Sequence, residues 1–256
     1  MNPDVTDGAG EKLDAGTGSA PPRPRKHLTR VWKYVLAGAI LSWLGYEFLT
    51  LPFGDVEKLR SHNPRQTEFM RLHAERARKE GKPFHKAQEW TPLKDVPTAV
   101  INAVVVAEDG RFWSHHGIDW FELKESILKN ISQVRAARGA STITQQLVKN
   151  LYLSPSKNPL RKFREWVLTW WMERTLRKSR ILELYLNVIE WGNGIYGVQA
   201  ASREYFGKNV TELTREEAAR LAAIIPSPRS HRPEGSSMYV IRRAGLILQR
   251  MAARGM

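Results

Sequence analysis

The chain has 256 residues, 42% of them hydrophobic, and no cysteine. That suits one or two domains with a sizeable core and excludes disulfides and thiolate metal sites. Lys and Arg number 40 against 26 for Asp and Glu, a formal net charge of +14, so the partner is anionic: nucleic acid, lipid headgroups or a phosphorylated substrate. No zinc-finger or nucleic-acid fold signature accompanies the charge, so charge alone does not make a nucleic-acid binder.

Residues 1–30 read as a disordered basic tail. The first part is Gly, Ala, Asp and Pro without apolar periodicity, and Arg23, Arg25, Lys26, His27 and Arg30 follow. Residues 31–53 form an apolar segment broken only by Lys33 and Glu47. About 20 such residues span a bilayer, and Trp32, Tyr34, Tyr46 and Phe48 stand where interfacial aromatics belong. The basic cluster precedes the segment, so the positive-inside rule puts the N-terminus in the cytoplasm and the rest outside the inner membrane. A cleaved signal peptide is the alternative; the length of the run and the lack of a small-x-small cleavage site favour an uncleaved anchor. Residues 54–95 read as a polar connector with one exposed helix, Glu68 to Glu80, stopped by Gly81, Lys82 and Pro83.

Residues 96–256 read as a helical domain. Pro97 suits the first turn of a helix, and Ala99 to Val106 is almost wholly apolar. Glu108 and Asp109 sit where this buried helix ends, just before Gly110. A carboxylate at the edge of an apolar core is partly desolvated, which raises its pKa and makes it a usable base. A solvated helix end is the plainer alternative. Ile118, Trp120, Phe121, Leu123, Ile127, Leu128 and Ile131 then recur with helical spacing, interleaved with Lys124 and Lys129. Core packing is the favoured reading of that stretch, and a membrane-facing amphipathic segment is the other. Ser132 to Arg138 reads as a loop. Thr142 to Gln145 fits a capping box. Thr142, Gln146 and Lys149 follow at i, i+4, i+7, one helix face carrying a hydroxyl, an amide and a cation.

Leu151 to Pro159 reads as a loop. On the next helix, Leu160 to Arg177, the expected buried side is Leu160, Phe163, Val167, Trp170 and Trp171. Arg161 and Glu165 share another face; alone, such a pair is a surface contact worth about 0.3–0.5 kcal/mol. Thr214 opens a further capping-box helix that ends at Pro226, and Tyr239 to Arg254 is a final amphipathic helix. No strand alternation is convincing, so the fold class is all-α.

Three of these stretches together resemble the peptidoglycan glycosyltransferases of bacterial cell walls. Glu108, Asp109, Phe112, His115 and Gly117 meet the pattern Glu-Asp-x-x-Phe-x-x-His-x-Gly. The run from Gly139 to Asn150, Gly-Ala-Ser-Thr-Ile-Thr-Gln-Gln-Leu-Val-Lys-Asn, meets the second motif without a gap. Arg161, Lys162 and Glu165 meet Arg-Lys-x-x-Glu. The likeness covers roughly Trp90 to Arg232. It implies a lysozyme-like glycosyltransferase domain behind one N-terminal transmembrane helix, in the monofunctional form of the family.

The resemblance implies that a growing lipid-linked glycan is the donor and lipid II the acceptor, with release of polyprenyl pyrophosphate. Glu108 would be the general base and Glu165 a second catalytic carboxylate on the donor side. Lys149 and Arg161, with Lys157 and Lys162, would meet the pyrophosphate; Thr142, Gln146 and Asn150 would hold sugar or phosphate oxygens; Asp109, Phe112 and His115 would shape the pocket. No residues have the spacing of a fixed metal site. No cofactor is expected, and a magnesium or manganese ion, if used, would ride on the substrate pyrophosphate. Inner-membrane lipids, and cell-division or wall-synthesis proteins, are the further partners it admits, and nucleic acid is not one. Two rival readings are a lysozyme-like hydrolase and a non-catalytic, membrane-anchored wall-binding module. The cation cluster argues against the first, and the Glu108 and Glu165 motif pair against the second.

Overall fold

The computed structural model describes residues 26–125, 141–155 and 159–256. The tail before Lys26, the expected loop at 132–138, Ile127, Leu128, Ile131 and Lys157 lie outside the described residues. The chain divides into two compact units between Glu47 and Phe48.

Helix α1 (Lys26–Leu49) makes up most of the described part of the first unit. It is the one helix among the described residues long and apolar enough to cross a membrane. Its large apolar side chains, Trp32, Val35, Leu36 and Leu41 among them, are exposed on every side, as a lipid-facing helix requires. The helix stops at Leu49, short of the expected end at Phe53. Pro52 explains this, because proline disfavours helical geometry in the residue before it and lacks an N–H.

The second unit is helical, with a minor sheet. Its elements are α2 (Phe53–Lys58), α3 (Glu68–Lys79), β1 (Ala87–Gln88), α4 (Thr98–Glu108), α5 (Ile143–Tyr152), α6 (Pro159–Thr175), α7 (Lys178–Val188), β2 (Glu190–Gly192), β3 (Ile195–Tyr196), α8 (Val198–Phe206), α9 (Arg215–Ile224) and α10 (Met238–Ala253). Residues 120–125 are also helical. Helix α4 packs against α9 and α10, and α5 packs against α6 and α7. Helix α7 is central: Ile181, Leu182, Leu184, Tyr185, Leu186, Asn187 and Val188 are all buried, a pattern that only a helix covered on most sides shows.

The expected helical fold holds, and four details of it are corrected. First, it carries a small three-stranded sheet, ordered β1-β3-β2 with β1 parallel and β2 antiparallel to β3. Strands of two or three residues cannot display an alternation long enough to read. Second, the connector at 54–95 belongs in part to the core. Val56, Leu59 and Met70 are buried, α2 packs on α6 and α3 on α5. Helix α3 starts at the Thr67 cap, whose hydroxyl accepts the Met70 N–H.

Third, α6 turns a partly different face inward. Val167 and Trp171 pack against the core as expected, but Glu165, Leu168, Thr169 and Met172 are the buried residues and Trp170 is exposed, as is Trp166. Glu165 lies on this inward face, and Arg161 and Lys162 reach it from more exposed positions. Fourth, Trp120 and Phe121 are exposed, so the core reading of that stretch fails for its described aromatics.

A test follows for the supposed connector. Met70→Ala removes a buried side chain and should destabilise the protein by about 2–5 kcal/mol. Arg78→Ala, on the solvent side of the same helix, should stay within about 0.5 kcal/mol. Denaturant melts of the two variants measure both.

Candidate active site

Pro97 occupies the N-cap position of α4, and Val100, Ala103, Val104, Val105 and Val106 bury its length. The valines do not favour helix by propensity; packing holds them there. The helix ends when Asp109 turns to φ −159°, ψ 76°. Glu108, the last helical residue, is left facing α5 and α10.

Asp109 ties this end to the next helix. Its Oδ2 accepts the Ile143 N–H at 2.9 Å, at the start of α5. The His115 Nε2 lies 2.9 and 3.0 Å from its two carboxylate oxygens. His115 Nδ1 accepts the Gly117 N–H at 3.1 Å, so the proton sits on Nε2 and is donated to Asp109. Gly117 adopts φ +92°, and a Cβ there would approach Thr169 Cγ2 to 2.8 Å, so only glycine fits. Its carbonyl accepts the Thr142 hydroxyl at 2.6 Å. Thr142 also completes the expected capping box with Gln145, a device worth about 1 kcal/mol. Thr142 is buried, and its hydroxyl is engaged both with the Gly117 carbonyl and with the Gln145 N–H. Phe112 is wholly buried, with the Lys178 ammonium 4.3 Å from its ring centre; it supports the site from below.

With α4 and α5 joined this way, Gln146 meets the carboxylate. Its Nε2 donates to Glu108 Oε2 at 2.9 Å. Arg243 of α10 donates from Nη2 to the other oxygen, Oε1, at 3.2 Å. Burial raises the Glu108 pKa, and Gln146, Arg243 and Lys149 pull it partly back. The Glu108 side chain is one-tenth exposed. Asn150 spends its Nδ2 on the Gln146 carbonyl one turn back, at 2.9 Å.

Cations gather around the second carboxylate. Glu165 is 1% exposed and accepts from Lys162 Nζ at 2.5 Å and from Arg161 Nη1 at 3.5 Å. Lys149 has its pKa lowered by burial, and the charges of both Glu165 and Glu108 work against that. It therefore stands electrostatically between the two carboxylates. A cleft of about 390 Å³ opens beside them, lined by Gln146, Asn150 and Tyr185 and, on the far wall, by His73, Glu190 and Arg229. Glu108, Lys149 and Arg161 are not part of that lining. Glu190 and Arg229 form a bidentate ion pair, with contacts of 2.8 to 3.0 Å.

Asp109, His115 and Asp119 offer ligand atoms within 4.8 Å of one another, but they do not fit a metal. A cation on His115 Nε2 would force the proton onto Nδ1, against the Gly117 N–H already pointing there. Asp119 Oδ1 is taken by the N–H groups of Phe121 and Glu122, and its Oδ2, which has no hydrogen bond, lies 3.7 Å from the Arg111 guanidinium, whose charge a metal ion would have to displace.

A sequence model of the family described as transglycosylase matches residues 76–252. The chain belongs to the transglycosylase family. Similar proteins include three biosynthetic peptidoglycan transglycosylases. The one from Chromobacterium violaceum is 36% identical over 225 residues, covering 88% of this chain and 98% of that protein. The one from Thiobacillus denitrificans is 44% identical over 192 residues, 75% of this chain and 83% of that protein. The one from Azoarcus sp. (strain BH72) is 46% identical over 180 residues, 70% of this chain and 78% of that protein.

In this transglycosylase the structure brings Glu108, Gln146 and Lys149 together, and Glu165 with Arg161 and Lys162; Lys157 lies outside the described residues. Sequence reasoning missed Arg243. A signal was there: Val240, Ala244, Ile247 and Met251 form the buried stripe of α10, and Arg243 borders it one turn from Val240. His73, Glu190 and Arg229 gave no such signal, because three separate elements bring them to one cleft.

Arg243→Met should therefore move the acid limb of the transglycosylase pH–rate profile to higher pH, since both the charge and the hydrogen bond of Arg243 lower the Glu108 pKa. The limb should move by about one to two pH units, the size of a lost charge-assisted hydrogen bond of about 1.5–3 kcal/mol. A complete pH–rate series on both proteins checks the direction of the shift.

Proposed function

We propose that this transglycosylase polymerises lipid II into glycan strands, with the growing lipid-linked chain as donor, lipid II as acceptor and polyprenyl pyrophosphate as the leaving group. The observation that carries the reading is the pairing of a desolvated carboxylate, Glu108, with a cation cluster one helix away. A sugar hydroxyl is a weak nucleophile at neutral pH. Glu108 takes its proton as the hydroxyl oxygen bonds to the donor's anomeric carbon, a role typically worth about 10²–10⁴-fold. The bond from that carbon to the pyrophosphate oxygen breaks in the same displacement, and the electron pair leaves with the pyrophosphate.

The departing charge needs cations already in place. Lys149 supplies a compact, partly desolvated charge and Arg161 a fork that suits two phosphate oxygens. Glu165 holds Arg161 and Lys162 over the buried side of α6 before substrate arrives, so the cluster needs little reorganisation. A divalent ion has a place here only as a companion of the pyrophosphate. A hydrolase would need the carboxylates but not the cations.

The membrane supplies both lipid-linked substrates, and the surface of the second unit suits it. Trp113, Trp120, Phe121, Trp166 and Trp170 are exposed. Arg111, Lys162 and Arg174 lie over the Phe121, Trp166 and Trp170 rings at 5.0, 5.9 and 5.0 Å. Rings flanked by cations match the boundary between acyl chains and headgroups. Helix α1 anchors the chain in the inner membrane with its N-terminus in the cytoplasm, and the catalytic unit works on the periplasmic face.

Glu108→Gln keeps shape but cannot accept a proton. It should bind lipid II nearly as tightly as wild type and form less than about 1% of the polymer, sized on a gel. In the wild type the base is active only when ionised. Its raised pKa therefore predicts that the rate falls as pH drops through a value above the ordinary glutamate range. Polymer formation by Glu108→Gln at a wild-type rate would remove the assignment. For topology, a reporter that functions only in the periplasm should be active when fused after residue 60, and a cytoplasm-specific reporter there should be silent.

A further inference from the structure

The bond between Gln146 and Glu108 continues one step deeper. The Tyr185 hydroxyl, on α7 and wholly buried, donates to Gln146 Oε1 at 2.9 Å. Gln146 Nε2 donates in turn to Glu108 Oε2 at 2.9 Å. We infer that Tyr185 is a positioning residue, fixing which end of the Gln146 amide faces the base and thereby setting how readily Glu108 gives up and regains its proton. The inference rests on the reading of Glu108 as the base of glycan polymerisation.

The chain of bonds has a direction. An ionised carboxylate can only accept, so it requires the amide N–H, which leaves the amide oxygen for Tyr185. A protonated Glu108 could donate to that oxygen instead, if Gln146 turned over. The turn would point the amide N–H at the phenol oxygen and strand the phenol hydrogen. Gln146 is the only hydrogen-bond partner of the Tyr185 hydroxyl among the described residues, and Tyr185, though it lines the cleft, has no exposed surface, so the bond is costly to leave unmade. Tyr185 thus opposes the turn and favours the ionised base. The phenol stays protonated throughout, because burial above all, then the charges of Glu108 and Asp109, push its pKa far up.

The other groups around Glu108 cannot do this work. Arg243 from α10 acts on the carboxylate by charge and by its own hydrogen bond to Oε1, and Lys149 from α5 acts by charge; both act on the carboxylate directly and not through the Gln146 amide. Asp109 is turned to Ile143 and His115. Helix α9 also packs on α4, but its buried residues are Ala218, Ala219, Leu221, Ala222, Ala223 and Ile224, none of them ionisable. Only Tyr185 donates to Gln146 Oε1 among the described residues.

The test compares pH–rate profiles of lipid II polymerisation by the full chain with direct titration of the Glu108 carboxyl by carbon-13 NMR in detergent. In Tyr185→Phe both the acid limb and the NMR midpoint should move upward, by about half a pH unit or more. Site-specific 3-fluorotyrosine in place of Tyr185 is nearly the same shape and a stronger donor, so both should move downward. Gln146→Leu cuts the link, and adding Tyr185→Phe to it should produce no further shift, the sign of two residues acting as one unit. A Tyr185→Phe profile that lies on the wild-type curve, or drops uniformly without shifting, overturns the inference, as do shifts that add in the double variant. If thermal melting shows Tyr185→Phe to be unfolded, the fluorotyrosine protein decides: an unmoved or raised midpoint overturns the inference. A wild-type protein that makes no polymer defeats the proposed function, while the NMR midpoints still settle the part played by Tyr185.

Discussion

The carboxylate of Asp109 accepts a backbone N–H from Ile143, 34 residues further along the chain, and the rest of the site depends on that bond. It joins the end of α4 to the start of α5, where unsatisfied N–H groups welcome an anion. His115 holds the same carboxylate from the other side, and the Gly117 turn holds His115. Through this joint, Glu108 at the end of one helix is set against Gln146 on the first turns of the next. Two neighbouring acids are thereby given different work: one is spent on structure, and the other is kept short of partners that would neutralise it fully.

Desolvation and charge compete at Glu108, and desolvation wins in part. A carboxylate beside Arg243 and Lys149 in water would have a depressed pKa; here burial outweighs both. Lys149 shows the mirror image, with burial lowering its pKa against the pull of two carboxylates. Glu165 differs. Its direct contacts with Arg161 and Lys162 make it the structural centre of the cation group. The proposed division of labour, base on one side and charge receiver on the other, follows from these unequal surroundings.

Much of this was legible in the sequence, for reasons that are physical. The apolar run before Glu108 marks a buried helix with an acid at its edge, and the Thr142–Gln145 capping box marks where α5 begins. Both are local patterns. What stayed hidden depends on long-range placement. Arg243 reaches Glu108 from the last helix, and Tyr185, between Leu184 and Leu186, carries no local sign of the Gln146 side chain it meets 39 residues away. Thr142 looked available because its helix face carries no apolar residue, yet the Gly117 carbonyl claims its hydroxyl. The strands of two or three residues are too short to show alternation, and the outward Trp170 escaped because composition shows that rings are present, not which way a helix is rolled.

Glu108, the last helical residue, points to Gln146, and Asp109, which has left the helix at φ −159°, points to Ile143. An insertion or deletion of one residue anywhere in α4 would turn both by about 100° and take each away from its partner. The length of this helix is therefore fixed more tightly than its composition. Its valines can drift among apolar types of similar volume, but the spacing from Pro97 to Glu108 cannot, and any length variation that evolution tolerates in this region must fall in the segments on either side.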